Sequence, residues 1–478
     1  MTRPWRLFIL ILLLISLLAC QMVAPALDWR QPTPTVTPTY ARRTDKSLPA
    51  ARQTTTPPAT LTETPLPPTQ TPSPQPTATQ GITSAATPLP QSVQLSVFDE
   101  LWTIVKEEYL YEDFNGLDWE EIHAEYQQRI ENGLTTDEFY TALDEMIMRL
   151  GDDHSVYLSP EQVSSDDAEF QGGFDYVGVG MMLSAMPDRQ RAVILVTFPD
   201  SPAEAAGLQP RDNLLAVNGE PILDEYGFLR DIVRGPEGTQ VTLTVQTPGQ
   251  PARQVALDRQ RILSSLPVPY KILTSPEGKR IGYLLVTSFN DNGIDEMIGD
   301  ALQAMSQDEN NHAERPLDGL IIDNTQNSGG SDTVLRPSLG YFSQGILGYF
   351  ISRDGKRPLE IKKGEDINGS QTVPLVVLVG LDTVSYGEIF AGVLKDTSRA
   401  YLIGETTGGN VETLWGYEFE DGSRAWIAHE FFRPLNHPDQ DWEVTGIVPD
   451  LTVLANWDEY TTEDDPRVKA ALDYFDNQ

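Results

Sequence analysis

The sequence predicts an α+β protein of several domains, on three observations. Segments with apolar residues at spacings of three and four, typical of amphipathic helices, follow a proline-rich N-terminal stretch. Short β-branched runs divided by glycine and asparagine turns come next, as in a small β domain. The last part alternates buried strands with helical stretches, the pattern of an α/β core. A chain of 478 residues also exceeds one ordinary domain.

Residues 1–20 have the layout of a lipoprotein signal peptide. Arg3 and Arg6 precede an apolar run that ends at Ala19, and Cys20 follows directly. Cys20 is the one cysteine of the chain, which excludes an intrachain disulfide, and it stands at the acylation position of bacterial lipoproteins. We expect cleavage before Cys20, lipid attachment there, and an extracytoplasmic protein at the cell membrane. An ordinary signal peptide with an incidental cysteine, or a short anchor helix, stays open.

Residues 21–94 are rich in proline, threonine, glutamine and serine and lack the apolar periodicity of a packed core. This composition predicts a disordered, semi-rigid linker between the anchor and the folded body. The chain carries 70 acidic against 34 basic side chains, a net charge of −36, and the acidic excess lies beyond the linker. So acidic a body argues against nucleic acid and anionic lipid as direct partners. We expect membrane contact through the N-terminal lipid alone.

Residues 95–168 predict an N-terminal helical cap. Three amphipathic helices are indicated, at "SVFDELWTIVKEEYLY", "WEEIHAEYQQRI" and "TTDEFYTALDEMIMRLG". The "TTDE" start of the third is a capping-box signal, and Gly151 stands where a helix stop is expected. The cap ends in the polar stretch "GDDHSVYLSPEQ".

Residues 169–263 predict a β-rich domain that resembles a PDZ domain, a β-sandwich-like fold. The resemblance rests on "GVG" in the first strand and on "SPAEAAGLQPRDNLLAVNG" in the middle, although Arg211 replaces the usual glycine. It implies that an extended C-terminal tail adds as a strand, with its carboxylate in a loop at Tyr176, Val177, Gly178 and Val179. The predicted strands are "YVGVGMML", "AVILVTF" and "TQVTLTVQT", "NLLAVNGEPI" predicts a strand with an Asn-Gly turn, and the predicted helices are "SPAEAAGL" and "YGFLRDIVRG".

Residues 264–457 predict the α/β core, and residues 458–478 an acidic C-terminal tail or helix. The core motifs, in order, are "GLIIDNTQNSGG", "SYGEIFAGVLKD", "GETTGG" and "GIVPD". Together with "DDHSVYLSPEQ" and the PDZ-like domain, they resemble the S41 serine peptidases. These are the carboxyl-terminal processing, or tail-specific, peptidases and their tricorn-like relatives, with a core of ββα units. The order and spacing of the motifs carry the resemblance.

The resemblance implies that Ser385 is the nucleophile. Ser385 precedes a helix, whose free N–H groups suit the oxyanion of acyl transfer. The implied donors are the amide of Tyr386 and that of Gly329 or Gly330, where a missing side chain lets the backbone reach the substrate. A helix N-cap for Ser385 and a plain tight turn for the glycines are the alternatives.

The general base is the point where the sequence departs from the processing peptidases. Their lysine falls on Asn410 and its supporting glutamine on Leu414, and an amide is no general base near neutral pH. Tricorn-like relatives use a histidine from the segment before the core and a supporting glutamate, positions filled here by His154 and Glu443. Lys395, ten residues after Ser385, is a weaker candidate base. The remaining histidines are interpreted as solvated or structural: His123, His312, His429 and His437.

The resulting hypothesis is a lipid-anchored extracytoplasmic serine endopeptidase. It would hold protein or peptide substrates with free C-terminal tails at the PDZ-like groove and cleave them at Ser385. No metal or organic cofactor is implied. The alternative is a catalytically inactive scaffold that binds protein C-termini, which the replacement of the lysine by Asn410 motivates.

Overall fold

The computed structural model describes residues 88–152, 154–170, 174–307 and 314–478. The predicted signal peptide, Cys20 and residues 21–87 of the predicted linker therefore lie outside the described residues, as does His312. The predicted end of the linker at residue 94 is wrong, because residues 91–94 belong to the first helix. Within the described ranges, none of the helices has both the length and the apolar character needed to traverse a bilayer.

Three helices open the described chain, as predicted. Helix α1 spans Gln91–Glu108, α2 spans Trp119–Glu131 and α3 spans Thr136–Met148. The predicted capping box is confirmed: the Thr135 hydroxyl accepts the N–H of Glu138, whose carboxylate accepts the N–H of Thr135. Strand β1 (Val156–Leu158) and helix α4 (Pro160–Phe170) complete this region.

The middle domain is an antiparallel sheet with its own apolar core. Its strands run in the order β3-β4-β5-β7-β8, with β6 beside β5, while β2 pairs separately with β9. The elements are β2 (Phe174–Gly178), β3 (Met181–Met186), β4 (Arg191–Thr197), α5 (Pro202–Ala205), β5 (Asn213–Val217), β6 (Glu220–Pro221), β7 (Gln240–Gln246), β8 (Arg253–Asp258) and β9 (Gln260–Ser264).

Two predictions for the middle domain are wrong. "YVGVGMML" is not one strand, because Gly180 has φ +83° and divides it into β2 and β3, which belong to different sheets. "YGFLRDIVRG" is not a helix. The Asp224 carboxylate accepts the N–H groups of Tyr226 and Phe228, and Gly227 has φ +88°, so local turns replace helical hydrogen bonds.

The core is a six-stranded sheet ordered β10-β11-β12-β15-β16-β19, parallel except for β10. Its helices pack on the sheet and share one large apolar core with it. The six strands of this sheet are β10 (Tyr270–Thr274), β11 (Arg280–Leu285), β12 (Gly319–Asp323), β15 (Leu375–Val379), β16 (Tyr401–Gly404) and β19 (Leu451–Thr452). Four further strands belong to a different sheet: β13 (Gly345–Ile351), β14 (Lys356–Ile361), β17 (Thr413–Glu418) and β18 (Arg424–Pro434). The helices are α6 (Ile294–Met305), α7 (Asp332–Gly340), α8 (Tyr386–Asp396), α9 (Trp442–Thr445) and α10 (Pro466–Asp476).

A second sheet joins the N-terminal region to the core. Its order is β1-β18-β13-β14, with β17 on β18, and β1 pairs antiparallel with β18 through Val156 and Trp426. The N-terminal helices bury their apolar side chains against residues of β17 and β18, including Leu414 and Ile427. This pairing fixes the segment just before β1, which contains His154, beside the core.

Arg211 joins the middle domain to the core. It has φ +78°, and its side chain is only 1% exposed. Nη2 lies 2.8 Å from Asp323 Oδ2, Nη1 lies 2.7 Å from Asp465 Oδ2, and the guanidinium stacks on Trp457 at 4.6 Å. The departure from the usual glycine thus has a structural reason: here the turn residue supplies a buried cation between domains.

Candidate active site

Ser385 occupies a strained turn between a buried strand and a helix. Every residue of β15 is buried, and α8 begins at Tyr386. Ser385 has φ +54° and ψ −127°, a conformation that non-glycine residues rarely adopt and that costs on the order of 1–3 kcal/mol. Ser385 as a whole is only 3% exposed. The surroundings must therefore hold this conformation in place.

The Glu388 carboxylate, one turn into α8, forms hydrogen bonds to both the Ser385 turn and the segment 407–410. One oxygen, Oε2, accepts the N–H groups of Ser385 (3.1 Å) and Asn410 (2.8 Å). The other accepts the N–H of Gly409 (2.8 Å) and the hydroxyl of Thr407 (2.5 Å). Burial raises the pKa of Glu388, and these hydrogen bonds oppose the rise, leaving it at about 7. The Ser385 N–H also donates to the Asn410 carbonyl at 2.6 Å.

Two of the predicted oxyanion residues, Gly329 and Tyr386, lie directly at Ser385. Gly329 has φ +91°, and a Cβ there would lie 2.7 Å from Ser385 Cβ and 3.2 Å from the Tyr386 nitrogen, so only glycine fits. The Gly329 N–H donates to Asn327 Oδ1 at 2.9 Å. Gly330 has φ +143° and lies against the Phe289 backbone. Since the N–H of Gly329 is already used, Gly330 is the other loop glycine that the resemblance offers as a donor.

His154 and Glu443, 289 residues apart in the chain, form a hydrogen-bonded pair. His154 Nε2 lies 2.9 Å from Glu443 Oε1, and the imidazole side chain is 4% exposed. Burial would lower the pKa of His154, but the hydrogen bond and the charges of Glu443, Glu412 and Asp152 raise it to about 9. Asp152 also holds the local turn by accepting the His154 N–H at 3.0 Å.

The segment 410–412 connects this pair to Ser385. Glu443 Oε2 accepts the N–H groups of Val411 (2.7 Å) and Glu412 (3.1 Å), next to the Asn410 carbonyl that accepts from Ser385. Three backbone groups in succession therefore link the nucleophile turn to the histidine–glutamate pair. The structure brings together Ser385 and the carboxylate that supports His154 through this one segment.

The lysine-type alternatives have different surroundings. Asn410 Oδ1, at the lysine position, is buried without a hydrogen-bond partner among the described residues. Leu414 is buried in the apolar core shared with the N-terminal helices. Lys395 donates to the Val448 carbonyl at 2.6 Å and pairs with Asp450 at 3.0 Å. It lies near the end of α8, about 15 Å along the helix from Ser385.

Sequence reasoning missed Glu412 and Tyr111. Glu412 Oε2 lies 3.8 Å from His154 Nε2, and its side chain is 2% exposed. Its other oxygen accepts the hydroxyl of Tyr111, from the N-terminal region. Burial raises the pKa of Glu412; the charge of His154 opposes this, and the pKa is about 7. The sequence signal was weak: one acidic residue within the short stretch "NVETL".

The other described histidines have partners of their own. His123 Nε2 lies 3.0 Å from Asp99 and His437 Nδ1 lies 2.7 Å from Asp396. His429 is buried with Nδ1 3.2 Å from the Glu108 carbonyl, and burial, with the charge of Arg357, lowers its pKa to about 4.

The predicted peptide-binding loop is wrong as a loop for three of its four residues, which pair with β9 at the junction of the two middle-domain sheets. Tyr176, Val177 and Gly178 belong to β2, and the Val179 carbonyl accepts the N–H of Ala203 at 2.8 Å. The ring of Tyr176 folds over Gly178, with the Arg234 guanidinium 4.9 Å from its centre. These residues thus lie where β2 ends and β3 begins.

Comparison with known families assigns three parts of the chain. Residues 280–453 match peptidase family S41, residues 94–148 match the tricorn protease C1 domain, and residues 198–247 match a PDZ domain. The three matches fall on the core, the N-terminal helices and the middle domain.

Curated relatives agree with these matches. A carboxyl-terminal-processing protease of Synechocystis sp. is 31% identical over 387 residues, which cover 78% of this chain and 84% of the relative. One of Picosynechococcus sp. is 31% identical over 385 residues, covering 78% and 87%. Among solved structures, a photosystem II D1 C-terminal processing protease is 25% identical with a TM-score of 0.49, covering 76% of this chain and 94% of that one. On the family matches and the two curated relatives, the chain belongs to the S41 peptidases, in the group of carboxyl-terminal-processing proteases that carry a PDZ domain.

Proposed function

We propose that this protein is an extracytoplasmic serine endopeptidase, anchored by lipid at Cys20, that cleaves protein or peptide tails held at its PDZ domain. The observation that carries the proposal is the 2.9 Å pair of His154 and Glu443, attached through residues 410–412 to the turn of Ser385. The signal-like N-terminus and its single cysteine support the location and the anchor.

In the proposed mechanism, Nδ1 of His154 acts as the base. Nε2 of His154 lies beside Glu443 and would carry the proton of the neutral tautomer, so Nδ1 would receive the proton of the Ser385 hydroxyl. Oγ attacks the substrate carbonyl as that proton moves to Nδ1, and the amine leaves with the same proton. Water then attacks the acyl-enzyme, its proton passing through Nδ1 back to Oγ, and the carboxylic acid is released.

Two features would stabilise the charged intermediates. Glu443 faces the imidazolium directly, and Tyr386 and Gly330 would donate to the oxyanion beside Ser385. The turn at Ser385 is preorganised by Glu388, so the nucleophile needs no rearrangement of its backbone.

The test uses the full chain, purified in detergent. We expect labelling of Ser385 by a fluorophosphonate probe and cleavage of an unfolded protein. Both should be lost in Ser385→Ala, and cleavage should fall at least about 10²-fold in His154→Ala, the contribution typical of a general base. Lys395→Ala is the control and should retain activity. Full activity of His154→Ala would contradict the histidine mechanism.

The second candidate function is an inactive scaffold that binds protein C-termini. Asn410 and Leu414, in place of the lysine and glutamine of the processing peptidases, favour it. This function predicts neither labelling nor cleavage at any pH, together with binding of peptides that have a free C-terminal carboxylate but not of their amidated forms. Cleavage dependent on Ser385 would exclude it.

A further inference from the structure

His154 faces two carboxylates, and only one of them is fully satisfied by hydrogen bonds. Glu443 accepts two backbone N–H groups besides its contact with the imidazole. Glu412 accepts the hydroxyl of Tyr111 at Oε1, while Oε2 has no hydrogen-bond donor within the described part of the chain. That oxygen lies 3.8 Å from His154 Nε2. A buried carboxylate so placed interacts mainly with the charge of the imidazole.

The charged surroundings of this cluster are acidic. Glu443 and Asp152 act on both His154 and Glu412, and each raises the pKa of both groups. The ionised form of Glu412 therefore depends on a positive charge on His154, and an imidazolium is in turn favoured by ionised Glu412. The protonation state of each group therefore shifts the pKa of the other, in a site from which water is largely excluded. Tyr111 adds a hydrogen bond that favours the ionised carboxylate, while the phenol of Tyr109 is hydrogen-bonded to Asp152.

We propose that Glu412 is a positioning residue of the reaction: the second carboxylate of His154, held in place by the hydroxyl of Tyr111. Its charge sets how readily the histidine gives up and regains its proton. Because Tyr111 belongs to the N-terminal region, that region contributes to the chemistry and not only to the fold. This inference rests on the proposed function, in which His154 is the base.

The direct measurement is the titration of His154, followed by NMR of the imidazole in the Ser385→Ala full chain. Substituting Glu412→Gln keeps the shape of the side chain and an acceptor for Tyr111 but removes the charge. We expect the titration midpoint of His154 to fall by at least about one pH unit, since a unit charge under 4 Å away acts strongly even at a high effective dielectric. Glu420→Gln, at an exposed carboxylate beyond the end of β17, should leave it unchanged.

A second variant keeps the test valid if Glu412→Gln folds poorly. Tyr111→Phe removes the hydrogen bond that favours ionised Glu412, so the midpoint should move in the same direction by a smaller amount. In a Glu412→Gln background, Tyr111→Phe should add no further shift, because its effect passes through the carboxylate. An unchanged midpoint of His154 in Glu412→Gln would overturn the inference. So would a shift by Tyr111→Phe that is as large in the Glu412→Gln background as in the chain that keeps Glu412.

The pH profile of kcat/KM separates this inference from the proposed function. In an active enzyme, Glu412→Gln should move the acid limb to lower pH by the same amount as the imidazole titration. If the pH profile of Glu412→Gln is not shifted while hydrolysis still depends on His154, the role of Glu412 is refuted and the proposed function is not. Absence of hydrolysis in the unsubstituted chain refutes the proposed function, whereas the imidazole titration still measures the coupling of Glu412 to His154.

Discussion

Replacing Glu443 by glutamine should abolish most activity through the tautomer of His154. The backbone N–H groups of Val411 and Glu412 need an acceptor, so the oxygen of the introduced amide would turn toward them. The amide NH₂ would then donate to Nε2 of the histidine. This places the histidine proton on Nδ1, the nitrogen that must be free to receive the proton of Ser385.

The size of the effect follows from this geometry. Losing the correct tautomer in a histidine–carboxylate pair costs about 10⁴ in kcat, which corresponds to about 5 kcal/mol of transition-state stabilisation. The pH dependence should change as well. With a pKa of about 9, His154 is protonated at neutral pH, so kcat/KM of the unsubstituted enzyme should rise about tenfold per pH unit from pH 6 to 8. Removing the charge of Glu443 lowers that pKa, so the remaining activity of Glu443→Gln should level off at lower pH.

The assay is steady-state cleavage of a fluorogenic peptide from pH 6 to 10, with fluorophosphonate labelling in parallel. Asp439→Asn, a nearby exposed carboxylate, is the matched control and should keep the unsubstituted profile. Activity of Glu443→Gln within tenfold of the unsubstituted enzyme, with an unmoved acid limb, would refute the reasoning.

Two further predictions concern backbone space and a buried ion cluster. Gly329→Ala should lower kcat for peptide cleavage at least about 10²-fold. The new Cβ would lie 2.7 Å from that of Ser385 and would displace the nucleophile or the oxyanion donors. Arg211→Met should lower the free energy of unfolding by about 3–5 kcal/mol, measured by urea denaturation, because it leaves Asp323 buried without its ion-pair partner, whereas Asp465 keeps Arg467.

Matched controls isolate the cause in each case. Gly133 has φ +93° but no atom within 4 Å of a new Cβ, so Gly133→Ala reproduces the backbone strain without the clash and should leave kcat unchanged. Arg234 has an exposed side chain, so Arg234→Met should change the free energy of unfolding by about 0.5 kcal/mol or less. Equal effects of Gly133→Ala and Gly329→Ala on kcat, or of the two arginine substitutions on unfolding, would contradict the predictions.

The sequence by itself determined the local elements around the site. The capping box at Thr135 and the strand, turn and helix around Ser385 follow from periodicity and from side chains that bond to neighbouring backbone. One of the two local failures has the same origin. The apolar spacing of "YGFLRDIVRG" fits a helix, but the nearby carboxylate of Asp224 satisfies its first N–H groups in a turn.

The tertiary structure alone decided how charges are paired and how far they are buried. Sequence could name His154 and Glu443 through family resemblance, but their 2.9 Å contact requires β1 to pair with β18 across the molecule. Glu412 and Arg211 carried no local signal of their roles, because each depends on partners from distant elements. The physical reason is that a pKa depends on desolvation and on charges within a few ångströms, and both are set only when distant segments pack together.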